Sequence, residues 1–323
     1  MKKKCMGYKL NNFIDGKIFP KKNILAIMRD NKIDGEVISI NYAFFKKIFI
    51  KIKKDNKISL LKLCLDGYSI SLAKNEMNGY LYLNEINNSK FNLLDFKMIY
   101  CNSEYALSKI DFVNGKKGGY FDYKKFYNFN IKNDLDHIKL KDYINLINNR
   151  FNINDNQKTG QLINSLWKFG NYKIPLDISH GDFIHWNTIK TSEKNYVIDL
   201  EFFEKKRQYL FDSFHWFLTP IINKIITYNL NFLLTSTPCT IIFKILKINM
   251  ENNYNKTTLE NEKLFKVLFI LFIFERFLTI DRVINLHNID ELIDEKEKSL
   301  SLKHHNILFN LLTKFIKDII KNK

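Results

Sequence analysis

Cysteine, proline and glycine are all scarce in this chain, at four, four and eleven among 323 residues. So little glycine and proline excludes collagen-like and low-complexity architectures. Cys5, Cys64, Cys101 and Cys239 are scattered and show no metal-ligand spacing, so they read as reduced structural thiols of a cytoplasmic protein. Long apolar runs are missing too. The longest, residues 267–274, lies between Lys266 and Glu275-Arg276. It falls far short of the roughly 20 residues that span a bilayer. The basic start, Met1-Lys2-Lys3-Lys4, has no apolar run behind it and does not read as a signal peptide. Arginine is rare as well: Arg29, Arg150, Arg207, Arg276 and Arg282 are the only five.

What is present describes a folded protein. The chain is 46% hydrophobic and 15% aromatic, which excludes a disordered chain, and its length suits about two domains or lobes. The net charge of +17 is carried almost wholly by lysine. Heavy use of Lys, Asn, Ile and Phe is what an AT-rich genome favours, which makes much of this charge a solvated surface. The competing reading is a functional basic surface for nucleic acid, or for peripheral contact with an anionic membrane or glycan. The lysines are spread out and no base-reading module is visible, so a nucleic-acid-binding protein is the weaker rival.

Patterning changes along the chain. From Glu36 to Leu65, short apolar runs alternate with lysine about a break at Lys54-Asp55-Asn56, the signature of an antiparallel hairpin. Residues 69–84 take helical spacing, and 96–100 and 106–113 read as strands. The Gly/Lys-rich segment 114–119 is the candidate boundary. Beyond it, 139–149, 159–169, 211–229, 260–281 and 303–321 read as helices, with strand-like pieces flanking 187–199. The expectation is a two-lobed α+β protein. It has a small N-terminal lobe, residues 1–115, with an antiparallel sheet and one helix, and a larger mainly helical lobe, residues 116–323.

The chemistry concentrates in Ile178-Ser179-His180-Gly181-Asp182-Phe183-Ile184-His185-Trp186-Asn187, followed by Tyr196-Val197-Ile198-Asp199-Leu200-Glu201. Phosphoryl transfer needs a carboxylate to orient and deprotonate the attacking hydroxyl, and hard oxygen ligands to hold Mg²⁺ at the nucleotide phosphates. An Asp and an Asn five residues apart on one loop, with a second Asp returned by a hairpin, can divide those tasks.

This stretch resembles the aminoglycoside phosphotransferase/choline kinase family of kinase-fold small-molecule phosphotransferases. The likeness is strongest to a branch with Trp-Asn in the loop, here Trp186-Asn187, and an Asp-x-Phe-His-x-Phe segment, here Asp212-Ser213-Phe214-His215-Trp216-Phe217. The resemblance implies a protein-kinase-like fold, ATP and Mg²⁺ as cofactors, Asp182 as catalytic base, and Asn187 and Asp199 as metal ligands. His180 would orient the loop. Glu201 would touch a second metal or brace the loop, and Asp212 would cap a helix and pin the loop backbone. His185 stands where the branch usually has proline.

In the first lobe, Lys62 on the strand after the turn and Glu76 on the following helix fit the phosphate-gripping pair of a kinase fold, with Lys51 as competitor. No glycine occurs between Gly35 and Gly67. The place of a phosphate-covering loop is taken by Ser39-Ile40-Asn41-Tyr42-Ala43-Phe44, with Asn41 as its nucleotide-side candidate. This leaves a nucleotide-binding pseudokinase as the alternative to an ATP-dependent phosphotransferase.

Gly181 stands where protein kinases place Arg, which argues against protein substrates. From Lys205 onward there are 18 bases against 12 acids, which argues against a polycationic aminoglycoside. The branch resembles predicted kinases of bacterial surface-polysaccharide metabolism, so the expected acceptor is a small-molecule or glycan hydroxyl, a sugar ahead of choline or ethanolamine. Phe183, Trp186 and Trp216 read as core, residues 267–274 as a buried helix, His304-His305 as surface, and the acidic run 290–297 as a solvated face.

Overall fold

The computed structural model describes residues 21–43, 47–86, 91–126, 135–153, 163–164, 166–167, 172–228, 236–251, 261–289 and 295–321. The basic start with Cys5, Phe44, most of 159–169, residues 290–294 and the side chains of Cys239 and 295–297 lie outside these. Two units divide the chain. One holds the residues up to Ala73 together with Asp95–Phe112; the other holds Lys74–Leu94 and everything from Val113.

In the first unit, α1 (Lys21–Asp30) precedes β1 (Glu36–Ala43), β2 (Lys47–Lys54), β3 (Lys57–Cys64), the start of α2 (Gly67–Glu85), β4 (Phe96–Cys101) and β5 (Ala106–Asp111). The strands form one antiparallel sheet in the order β1-β2-β3-β5-β4. The expected hairpin closes on Asp55 and Asn56 at φ 48° and 63°. A two-residue turn of this hand follows the twist of the strands, and Asp and Asn tolerate it. Period-two alternation sends Ile48, Ile50 and Ile52 of β2 and Leu61 and Leu63 of β3 to one face, where Ile24, Ile27 and Met28 of α1 cover them. On the other face, Cys64 and Ala106 meet Ile70 and Ala73 of α2.

The second unit takes the rest of α2, then β6 (Lys116–Lys117), α3 (Tyr123–Phe126), β7 (Asp136–Lys139), α4 (Leu140–Phe151), β8 (Lys173–Ser179), β9 (Thr188–Lys190), β10 (Asn195–Val197) and β11 (Glu204–Gln208). Four longer helices follow: α5 (Phe211–Thr227), α6 (Ser236–Glu251), α7 (Glu262–Ile289) and α8 (Glu295–Lys321). Two small antiparallel sheets, β10-β9-β6 and β11-β8-β7, carry the loops described below. Every residue from Val267 to Phe274 is buried. An apolar helix of this kind is stable only when wrapped by others, and α7 runs along α8 and packs against α5. Among the described residues no helix is long and apolar enough to cross a membrane. The arrangement is α+β, as the patterning indicated.

Three helices depart from the sequence reading. Helix α1 was not foreseen, since one helix alone was expected before residue 115. Helix α6 was not foreseen, because Pro238 and a β-branched run lower its apparent propensity. The last helix starts at Glu295 rather than at residue 303.

One buried charge ties three elements of this unit together. Glu275 of α7 is 1% exposed. Its carboxylate accepts a hydrogen bond from the Tyr143 hydroxyl of α4 at 2.6 Å, and lies 2.8 Å from Arg150 of α4 and 3.0 Å from Arg207 of β11. The Tyr143 hydroxyl in turn accepts from the Gln208 backbone N–H at 2.9 Å. Burial and the neighbouring carboxylate hold the Tyr143 hydroxyl well above the ordinary tyrosine range. Removing one partner of such a network leaves uncompensated charge in a dry interior. Glu275→Gln is therefore expected to destabilise the fold by about 3–5 kcal/mol in urea titrations. A loss below about 1 kcal/mol would show that the network contributes little.

Candidate active site

Strand β8 ends at Ser179, and the loop after it is held by a single carboxylate. Asp212, in the first turn of α5, accepts hydrogen bonds from the Ser179 hydroxyl at 2.8 Å, the His180 N–H at 2.8 Å and the Gly181 N–H at 3.0 Å. Asp212 thus pins the loop backbone but does not cap the helix. The cap position is Leu210, which makes no side-chain cap bond. Gly181 sits at φ +82°, and a Cβ there would fall 1.9 Å from the Phe202 carbonyl oxygen. A side chain at this position is excluded by backbone conformation and by space alike.

His180 is fully buried. Its Nε2 is 2.8 Å from the Ile198 carbonyl, which can only accept, so Nε2 carries the proton and Nδ1 accepts the Asp182 N–H at 3.3 Å. This imidazole joins the loop to the strand returning from the β9–β10 hairpin. The Ile198 N–H reaches the Asn187 carbonyl at 3.0 Å, closing the same loop from its other end.

Asp182 stands in the middle. Asn187 donates from one amide nitrogen to both its Oδ2 and its backbone carbonyl, each at 2.9 Å. Asp182 Oδ1 lies 3.3 Å from His215 Nε2 of α5 and 3.6 Å from Arg276 of α7. Burial raises its carboxyl above the ordinary range, against the pull of the Arg276 cation and with help from the Asp199 charge. His215 is moved the other way. Its Nδ1 donates to the Phe183 carbonyl at 3.3 Å, and burial with the nearby Arg276 charge holds it well below the usual histidine range.

Asp199 takes φ +68°, the left-handed region that Asp enters more readily than most residues. The turn it opens is tethered by Asn75 of α2, which donates to the carbonyls of Glu201 at 2.8 Å and Phe203 at 3.0 Å. Gly79, one turn on, lets the helix backbone lie against the Phe203 ring. This brings carboxylate oxygens of Glu76, Asp199 and Glu201 within 4.8 Å of one another. Three such groups repel unless cations offset them. Their oxygens are also the donors that Mg²⁺ prefers, so the donor chemistry fits the implied metal.

The second unit thus gathers His180, Asp182, Asn187, Asp199, Asp212, Glu76 and Glu201 around one loop and one turn. Two expected residues belong to the first unit. Lys62 is buried on β3 between its register partners Phe49 and Ser108, and Asn41 is exposed on β1 opposite Phe49. The competitor Lys51 places its Nζ 3.8 Å over the Phe112 ring. Trp186 is 37% exposed, unlike Phe183 and Trp216, so the loop presents it instead of packing it into the core. His304 and His305 are half-buried, bonded to Asn223 at 2.8 Å and to Asp281 at 3.1 Å, which corrects the surface reading.

His215 and Arg276 were missed as site residues. A signal existed for the first, since Asp212 and His215 stand three apart on one helix and so face the same way. Arg276 offered none beyond its place at the end of an apolar run.

A group held neutral in the fold costs stability as the pH drops below its unfolded value. His215 has a depressed folded value, so the unfolded chain binds more protons below about pH 6.5 and stability falls with pH in that range. His185 and His304, lowered mainly by burial, act in the same direction. His215→Gln is expected to make the loss between about pH 7.5 and about pH 5.5 shallower in urea titrations. An unchanged slope would mean that His215 is already charged in the native protein.

No family model matches the chain, and no curated protein does. Solved structures do. The choline kinase LicA from Streptococcus pneumoniae is 13% identical and aligns over 92% of this chain and 98% of its own, with a TM-score of 0.51. A thermostable mutant of the aminoglycoside phosphotransferase APH(4)-Ia, in a ternary complex with ADP and hygromycin B, is 9% identical and aligns over 88% and 97%, with a TM-score of 0.50. At these identities the likeness establishes the fold: the chain has the kinase-like α+β fold of those phosphotransferase structures.

Proposed function

We infer that the protein is an ATP-dependent phosphotransferase that moves the γ-phosphoryl group to a hydroxyl of a small molecule or glycan, a sugar first among them. One observation carries the reading. A carboxylate of raised basicity, Asp182, is fixed by Asn187 on a pinned loop, with Asp199 and Glu201 on the adjoining turn and Glu76 of α2 beside them. The fold supports it, and so does its likeness to an ADP-bound aminoglycoside phosphotransferase and a choline kinase.

In this reading Asn187 and Asp199 hold Mg²⁺, with Glu201 beside them; the metal supplies neutralisation of charge on the nucleotide phosphates. The chain's own residues do the rest. Asp182 orients the acceptor hydroxyl and takes its proton on a carboxylate oxygen. A carboxyl raised by burial is a better base than an ordinary one. Asn187 fixes the rotamer of Asp182 from one side. Asp212, Gly181 and His180 hold the backbone that carries it, so that little reorganisation remains at the moment of transfer.

Two variants separate binding from chemistry. Asp182→Ala is expected to keep the rise in unfolding midpoint produced by Mg·ATP, and to lower phosphoryl transfer by about 10²-fold or more. Asp199→Ala should lose that rise. Equal loss of both properties in the two variants would remove the base assignment. ATP binding without transfer by the unaltered chain to any hydroxyl acceptor would favour the pseudokinase reading instead, which the glycine-free segment between Gly35 and Gly67 supports.

A further inference from the structure

Phe121 is 92% exposed, more than any other large apolar side chain among the described residues. One exposed apolar residue is ordinary on its own. What distinguishes this one is the turn that holds it. Residues 120–122 form a single helical turn that runs directly into α3. Residues three and four apart on such a turn share a side. Tyr123 and Phe126 are buried. The Tyr120 ring meets Phe217 edge-on at 5.5 Å, and its carbonyl accepts from Trp216 Nε1 at 2.8 Å. That side fastens the turn to α5. The other side presents Phe121, Lys124 and Lys125, all exposed. Asp122 fixes the turn by accepting from the Gly119 N–H at 3.0 Å, so Phe121 is held outward by built structure.

Charge of one sign surrounds the ring. Lys116 and Lys117 of β6 are exposed just before the turn, and Lys116 stands in register with Lys190 of β9. Like charges placed opposite one another on neighbouring strands repel. Asp122 is the only acid within residues 113–126, and it is already shared by Lys125 at 2.6 Å and Lys190 at 3.6 Å. Lys116, Lys117, Lys124, Lys125 and Lys190 thus face one carboxylate. An anionic partner would offset the excess.

We propose that this turn docks the protein on an anionic lipid membrane, with Phe121 entering between the headgroups and the lysines meeting them. An apolar insertion and a basic cluster are the two signals that together hold a peripheral protein on a bilayer, where either alone is weak. The composition of the turn favours lipid over nucleic acid. Arginine is the residue of choice for nucleic acid, and residues 113–126 contain none. Single strands are also bound along grooves by successive rings, whereas here one ring projects from a turn. Docking is independent of the phosphotransferase reading. It has a consequence for the site all the same. Strand β9 follows Asn187 directly and pairs with β6, so a docked chain would hold the Asp182 loop near the lipid surface.

The test is cosedimentation of the full chain with vesicles of phosphatidylcholine alone, or of equal parts phosphatidylcholine and phosphatidylglycerol. The unaltered protein is expected to bind the anionic vesicles at least about tenfold more tightly than the neutral ones, and to lose binding as salt is raised. Phe121→Ala should weaken binding to anionic vesicles by about tenfold, and Phe121→Leu, which keeps an apolar side chain, should retain most of it. Lys116→Gln combined with Lys124→Gln should also cost about tenfold or more. All three positions are exposed, so the unfolding midpoints should match that of the unaltered chain. No binding, equal binding to both vesicles, or anionic binding untouched by Phe121→Ala would overturn the proposal. Tighter capture of a single-stranded RNA oligonucleotide than of anionic vesicles would overturn it too, and assign the basic turn to nucleic acid. None of these outcomes bears on Mg·ATP binding, so the phosphotransferase reading stands or falls separately.

Discussion

The site in the second unit depends on one carboxylate that touches no reacting atom. Asp212 collects three donors from Ser179, His180 and Gly181 and turns the end of β8 into a fixed loop. Hydrogen bonds to a charged acceptor contribute more than neutral ones, about 1.5–3 kcal/mol each, and here they converge on backbone next to Asp182. The glycine at φ +82° permits the turn, and the His180 imidazole carries the restraint across to residue 198. Without this anchor, the spacing of five between Asp182 and Asn187 would specify neighbours in sequence but no geometry.

A second constraint comes from α7. Its apolar run buries itself among α5 and α8, and the two residues that end the run face different tasks. Glu275 binds α4 and β11 from within the core, whereas Arg276 reaches Asp182 and Gly181. A buried salt-bridge network is weak evidence for stability by itself. The network joins residue 275 to α4 and β11, and the next residue, Arg276, lies beside the loop.

Much of this was legible in the sequence, and the legible parts share a cause. The Asp55-Asn56 hairpin, the buried run 267–274 and the His180–Asn187 loop are local patterns, written in residues a few positions apart. Strands β8 and β11 were not legible. Pro175 and Asp177 interrupt the apolar pattern of the first, and Glu204-Lys205-Lys206-Arg207-Gln208 reads as solvated surface. Both are strands only because they pair with each other and with β7. His215 and Arg276 approach Asp182 from 33 and 94 residues away in sequence, through helix packing that no local pattern encodes. Trp186 misled because an aromatic beside a loop motif looks like core until its exposure is seen.

The central claim is that the turn opened by Asp199 and the loop of Asp182 form a metal-dependent nucleotide site. Calorimetric titration of the full chain with ATP, in the presence and absence of Mg²⁺, tests it most directly. The account predicts one nucleotide per chain, bound at least about tenfold more tightly with Mg²⁺ than without it, because the three neighbouring carboxylates repel bare phosphate. No binding, or binding indifferent to Mg²⁺, would contradict it.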